Sequence, residues 1–228
     1  MKKITWLLTA MMAVSIPFTA GAEEQTTAVE SAEQSADTDF DSLSWDSYKL
    51  MIDDIVYQFP FMVSDLDAEK WTTSEDLTAE LSPNSYGLFY YSEVKTGRQV
   101  MFQIANMANN TITAQEGIIF GIKIDNYDWD LNDANIRLPK GIVYGKSTRE
   151  DIEAAYGTPS DVYEGDLYTK LTYSTDYYEE VELQIGTESG VLEGIDLECY
   201  RQPEGFDTGE VSTEVPAEVA AYTAPTEL

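Results

Sequence analysis

Apolar and polar residues change rhythm several times along this chain, and the changes mark its elements. Trp45–Tyr57 (WDSYKLMIDDIVY) places Tyr48, Met51, Ile52, Ile55 and Val56 three and four apart, which predicts an amphipathic helix or a helix running into a strand. Gln58-Phe59-Pro60 breaks it. Ser64 with Asp67 three residues on, flanked by Leu66 and Trp71, suggests a short capped helix. From Ser85 the period becomes two. Tyr86–Tyr91, Gln99–Ala105 and Ile118–Ile124 read as strands joined by turns, as in an antiparallel meander.

The second half carries a helix with its punctuation. Ser147 caps it, Glu150 reaches back, and Ile152, Ala155 and Tyr156 form one face. Gly157 suits the left-handed C-cap, and Pro159 prevents continuation. Strands follow at 167–174, 179–185 and 191–199. The expected fold class is therefore α+β, with short helices packed on an antiparallel sheet. Ile55-Val56-Tyr57 and Ile142-Val143-Tyr144 open the two halves alike, suggesting two tandem helix-plus-three/four-strand units at 44–130 and 139–202.

The run Gly145-x-Ser147-x-x-x-Asp151-Ile152-x-x-x-Tyr156-Gly157-x-Pro159, followed by a Tyr-rich strand and Val-Glu-Leu-Gln-Ile, resembles the beta-lactamase-inhibitory-protein-like and SmpA/OmlA (BamE-like) group. The resemblance implies a small secreted or lipid-anchored α+β domain. It covers 141–199 best and 55–124 more weakly. It brings no contact residue across by position, and the lipid-attachment cysteine of many members is missing. The chain is also similar to extracellular proteins of Gram-positive gut bacteria.

The ends have a different character. Lys2 and Lys3 precede a mostly apolar stretch from Ile4 to Phe18, and Ala20-Gly21-Ala22 supplies small residues before Glu23. This is the three-part pattern of a secretory signal peptide, 1–22, cleaved near Ala22. The apolar stretch is about 15 residues, short of the ~20 of a spanning helix. No span is expected after cleavage, and the protein is expected outside the cell. Segments 23–43 and 203–228, rich in Glu, Thr, Ala and Pro, are expected to be a disordered acidic linker and a disordered acidic tail.

Net charge is −29, which repels nucleic acid and anionic lipid. The chain has no histidine, which removes Ser-His-Asp and Cys-His pairs and His-ligated zinc. The single cysteine, Cys199, alternates with apolar residues and reads as a small buried hydrophobe. Gly145-Lys146-Ser147-Thr148 lacks the earlier glycine of a phosphate-binding loop. Asp128, Asp130 and Asn132 match the first calcium-ligand spacings, but Asp133 and Pro139 stand where that loop needs Gly and Glu. They remain a weak calcium candidate, and no cofactor is implied.

Tyrosines are the surplus. Tyr86, Tyr90, Tyr168, Tyr173 and Tyr177 fall on or beside predicted strands, where alternation turns some outward. The expected function is a non-catalytic extracellular binding module using an aromatic-rich sheet face. Its partner would be an extracellular protein or glycan, and a monomer is among the states open to it. Two alternatives stand beside this reading, a histidine-independent hydrolase with paired carboxylates and an envelope structural protein.

Overall fold

In the computed structural model, which describes residues 40–127, 129–131 and 135–209, the first apolar segment is a hairpin and not a helix. Strand β1 (Lys49–Ile52) pairs with β2 (Ile55–Gln58) through a two-residue turn. Asp53 and Asp54 both take positive φ, 50° and 66°, the geometry that continues the twist of both strands. The same residues that are spaced like a helix also alternate: Tyr48, Leu50 and Ile52 are buried, while Lys49 and Met51 are only partly covered. Short apolar runs satisfy both periods, and the Asp-Asp turn decides for the strand.

The later strands are β3 (Phe61–Met62), β4 (Trp71–Thr72), β5 (Glu80–Leu81), β6 (Tyr86–Glu93), β7 (Gln99–Ala105), β8 (Ile112–Thr113) and β9 (Ile118–Asp125). Then come β10 (Ile136–Leu138), β11 (Ile142–Val143), helix α1 (Arg149–Tyr156), β12 (Asp161–Glu164), β13 (Tyr168–Asp176), β14 (Glu179–Gly186) and β15 (Leu192–Cys199). Among the described residues, nine strands make one antiparallel sheet in the order β12-β13-β14-β15-β9-β7-β6-β4, with β3 beside β9. A four-stranded sheet runs β11-β10-β1-β2, and β5 pairs with β8.

The fold is therefore β-rich, not α+β with helices packed on a sheet. Segment 63–65 is a single 3-10 turn without a side-chain cap. Helix α1 forms where its punctuation predicts, but its capping box is Thr148 with Asp151, one residue later than expected. The Ser147 hydroxyl instead accepts from the Val143 amide, 3.0 Å away. The halves 44–130 and 139–202 do not form two side-by-side helix-plus-strand units. Strand β15 pairs with β9, and β10, which lies between the two halves, pairs with both β1 and β11, so strands of both halves share both larger sheets.

The inner face of the large sheet carries Leu171, Tyr173, Val181, Leu183, Ile195, Leu197, Ile122, Ile124, Phe102 and Phe89. These residues join Leu50, Ile52, Ile136, Leu138 and Ile152 in one buried cluster. Each large aliphatic side chain buried there contributes ~1.5–3 kcal/mol. Cys199 is part of this core, as its spacing predicts.

All described residues belong to a single unit. The expected signal peptide lies outside the described residues, as does most of the linker and of the tail. Phe40 is buried, Asp41 accepts from Arg137 at 2.7 and 2.8 Å, and the Asn109 amide donates to the Thr208 carbonyl at 2.7 Å. No helix among the described residues is long and apolar enough to cross a membrane.

Candidate binding face

Register on the large sheet decides what lies on its outer face. One row across the strands is Ser174, Glu180, Glu198, Gly121, Gln103 and Leu88. The next is Thr172, Glu182, Asp196, Lys123, Met101 and Tyr90. Along β6, alternation sends Tyr86, Leu88 and Tyr90 outward together, and they are 45, 52 and 51% exposed. Isolated exposed apolar residues are ordinary, but three in line on one strand form a continuous strip.

One end of the strip is closed by aromatic rings. Tyr86 meets Phe120 at 5.5 Å and Tyr178 at 6.1 Å, and Tyr200 meets Phe120 at 5.0 Å and Tyr178 at 6.0 Å. The four rings make a cycle of mostly edge-to-face contacts, the arrangement that ring quadrupoles favour. The bulge between Gln103 and Ile104 in the β7–β9 pairing turns Phe120 to this side. There it packs with Ala105, Met107 and Ile118, against Met62 and Phe206.

At the centre of the face, acids oppose acids. Glu180 pairs in register with Glu198, and Glu182 with Asp196. Like charges directly opposite are destabilising. Lys170 pairs with Glu182, and Lys123 with Asp196 at 3.3 Å. Among the described residues no cation comes within ion-pair distance of Glu180 or Glu198. Gln103 Nε2 donates to Glu198 Oε1 at 2.8 Å and Asp196 Oδ1 at 3.1 Å, while the buried Glu198 Oε2 has no hydrogen-bond partner. Burial, offset in part by Gln103 and reinforced by Asp196 and Glu180, pushes Glu198 up to about 7. Burial also raises Asp196 and Glu180, against the pull of the nearby lysines.

The tyrosines singled out by sequence separate accordingly. Tyr86 and Tyr90 are on the outer face. Tyr168 is half-buried at its far edge, 5.8 Å from the Tyr163 ring. Tyr177 is 79% exposed in the β13–β14 turn. Tyr173 has the opposite parity to Tyr168; it is 2% exposed in the core and donates to the Gly157 carbonyl at 3.1 Å. Leu88, Phe120, Tyr200, Gln103 and the four acids join the face without having been singled out. Of the calcium candidates, Asp130 is exposed, and Asp128 and Asn132 lie outside the described residues. Among the described residues no group of three acids or thiols is placed to hold a metal.

A second polar feature lies where three turns meet. Lys70, Asp53, Arg98 and Glu93 close a ring of alternating charge, with contacts of 3.1, 2.9, 2.6 and 3.5 Å in that order around it. The Arg98 guanidinium lies over the Trp129 ring at 4.1 Å. Burial alone would raise Glu93, but hydrogen bonds from Thr96 and Arg98 lower it to about 2. A cavity of about 460 Å³ opens beside the ring, lined also by Ile55, Asp67, Glu69 and Lys95. The ring fastens the β1–β2 turn of the small sheet to the β6–β7 turn of the large one.

Comparison of the chain with family models, with curated proteins and with solved structures returns no match.

Proposed function

We propose that the mature chain is a non-catalytic extracellular binding module that docks a partner protein on the outer face of its large sheet. The observation that carries this reading is the exposed strip Tyr86-Leu88-Tyr90, continuous with the ring cycle of Phe120, Tyr178 and Tyr200. Large, stiff aromatic side chains supply contact area at low entropic cost, which is why they are enriched where proteins meet. Thr96 and Arg98 hold the cavity carboxylate Glu93 in its charged form, which suits it poorly to proton transfer. The export pattern of residues 1–22 supports an extracellular setting.

A photo-crosslinking residue placed at Leu88, with the same residue at Val162 as control, tests the reading in the cell that makes the protein. A discrete protein adduct at Leu88 and none at Val162 is expected. Equal labelling at both positions, or none at Leu88, would count against a docking face.

A further inference from the structure

The outer face combines an exposed apolar strip with carboxylates that the fold leaves unneutralised, and the two together specify a partner's chemistry. The distance between them is short. Leu88 and Glu198 are three strands apart, roughly 14 Å at ~4.8 Å per strand, or about four residues of extended chain.

We propose that the occupant of this face is a cationic protein segment, a Lys or Arg side chain seated over the Glu180–Glu198 pair and its apolar residues laid against Tyr86, Leu88 and Tyr90. The proposal rests on the reading of the face as a docking surface and adds the character of the partner. The argument is charge complementarity with a structural cost behind it. Two acid–acid pairs stand side by side in register; Lys170 and Lys123 serve both acids of the Glu182–Asp196 pair, and the Glu180–Glu198 pair is left without a cation among the described residues. A guanidinium arriving over Glu180 and Glu198 would supply the missing cation. Gly121 and Gln103 form a low floor between the acids and Leu88, so an extended segment can cross from one to the other. Complementary charge of this kind speeds encounter and selects the partner more than it adds raw affinity.

Binding of this kind falls with acid. The groups facing Glu198 are Gln103 from β7, Lys123 from β9, Asp196 from its own strand, Glu180 and Glu182 from β14, and Lys170 from β13. Protonation of Glu198 removes the charge that a cation would meet.

The test uses short synthetic peptides carrying Leu and Arg about four residues apart, with Glu-for-Arg and Gln-for-Arg versions, titrated by calorimetry against the mature chain at physiological salt. At pH 8 only the Arg peptide is expected to bind. Glu180→Gln/Glu198→Gln should weaken it by about tenfold or more, while Glu75→Gln/Glu204→Gln, which removes equal charge elsewhere, should change it less than about twofold. Lowering the pH to 6 should weaken binding to the wild type and leave Glu198→Gln unaffected. Circular dichroism checks that each variant is folded. Equal losses in both double variants would reduce the effect to long-range charge and overturn the proposal. So would equal binding of all three peptides, no binding of any, or capture of neutral oligosaccharides instead. If adducts at Leu88 persist while the Arg preference is absent, the docking face stands and its cationic partner falls. If both are absent, the docking reading falls as well.

Discussion

Glu180 and Glu198 face each other across β14 and β15, and no cation among the described residues lies between them. Side chains directly opposite on one face of an antiparallel pair stand roughly 4.5–5.5 Å apart at Cβ, and like charges there oppose pairing. The fold tolerates the arrangement because the inner positions of the same strands, Val181, Leu183, Ile195 and Leu197, are buried in the core. The cost should appear as a pH dependence. Glu198 is raised to about 7, so between the ordinary carboxylate range and pH 7 the native state holds a proton that the unfolded state has lost. Raising the pH through that window therefore favours unfolding. Thermal melts of the mature chain should show Tm falling from pH 5 to pH 8. Glu198→Gln should flatten that slope and raise Tm at pH 8 by roughly 2–5 °C. An unchanged slope would mean that Glu198 ionises normally.

The ring at the meeting of three turns acts in the opposite direction. Glu93 is lowered to about 2, so its contribution is present at neutral pH and is lost as pH falls from the ordinary carboxylate range toward 2. Arg98→Ala leaves the buried Glu93 with Lys70, at 3.5 Å, as its one described cation and Thr96 as a hydroxyl donor, and exposes a face of Trp129. Breaking one partner of a buried ion pair costs ~3–5 kcal/mol. Urea denaturation should show a loss of that order, acid unfolding should begin at higher pH, and Trp129 emission should shift in the native baseline.

Local punctuation was readable in the sequence, and long-range pairing was not. Gly157 and Pro159 bound α1 because a glycine at positive φ (82°, with ψ −156° and so outside the left-handed helical cap the sequence suggests) and a ring without an N–H act within a few residues. Tyr86 and Tyr90 share parity on β6, and so share a face whatever the neighbouring strands are. Parity also separates Tyr173 from Tyr168, and the polar partners Lys170, Thr172 and Ser174 mark the even positions of β13 as outward. Alternation likewise put Glu180 with Glu182, and Asp196 with Glu198, on one side of each strand. That these pairs oppose each other depends on the β14–β15 register, which shifts between Gln184 and Ile185. The merging of both halves into shared sheets depends on β15 meeting β9 and β10 meeting β1, contacts that no local pattern announces.

The β1–β2 turn separates a structural demand from a local one. Both Asp53 and Asp54 hold positive φ, which costs most residues energy and costs glycine little. Asp53 is needed there, since its carboxylate accepts from both Lys70 and Arg98. Asp54 is exposed, and its one described side-chain contact is a 3.5 Å approach from Asn135. Asp54→Gly should therefore stabilise the fold by about 0.5–1 kcal/mol, while Asp53→Gly should destabilise it despite the same relief of strain. Chemical denaturation of the two variants checks this, and stabilisation by both would show that the ring contributes little.

Gly121 links the architecture of the face to its chemistry. It lies in register between Gln103 and Glu198, and a Cβ there would stand 2.8 Å from the Leu197 carbonyl oxygen and 3.1 Å from Gln103 Cδ. The carbonyl belongs to a paired strand and cannot retreat, so Gly121→Ala should cost about 1–3 kcal/mol, measured by urea denaturation. The same methyl group pushes Gln103 away from Glu198 and Asp196, leaving Glu198 without its described donor. The Glu198 carboxyl should then titrate higher than in the wild type, observable in carbon-detected NMR of the side chain. Gln103→Leu removes the donor without crowding the backbone and should raise the same titration with a smaller loss of stability. If neither variant moves it, Gln103 does not hold the charged form of Glu198, and the acids of the outer face are held apart by backbone register alone.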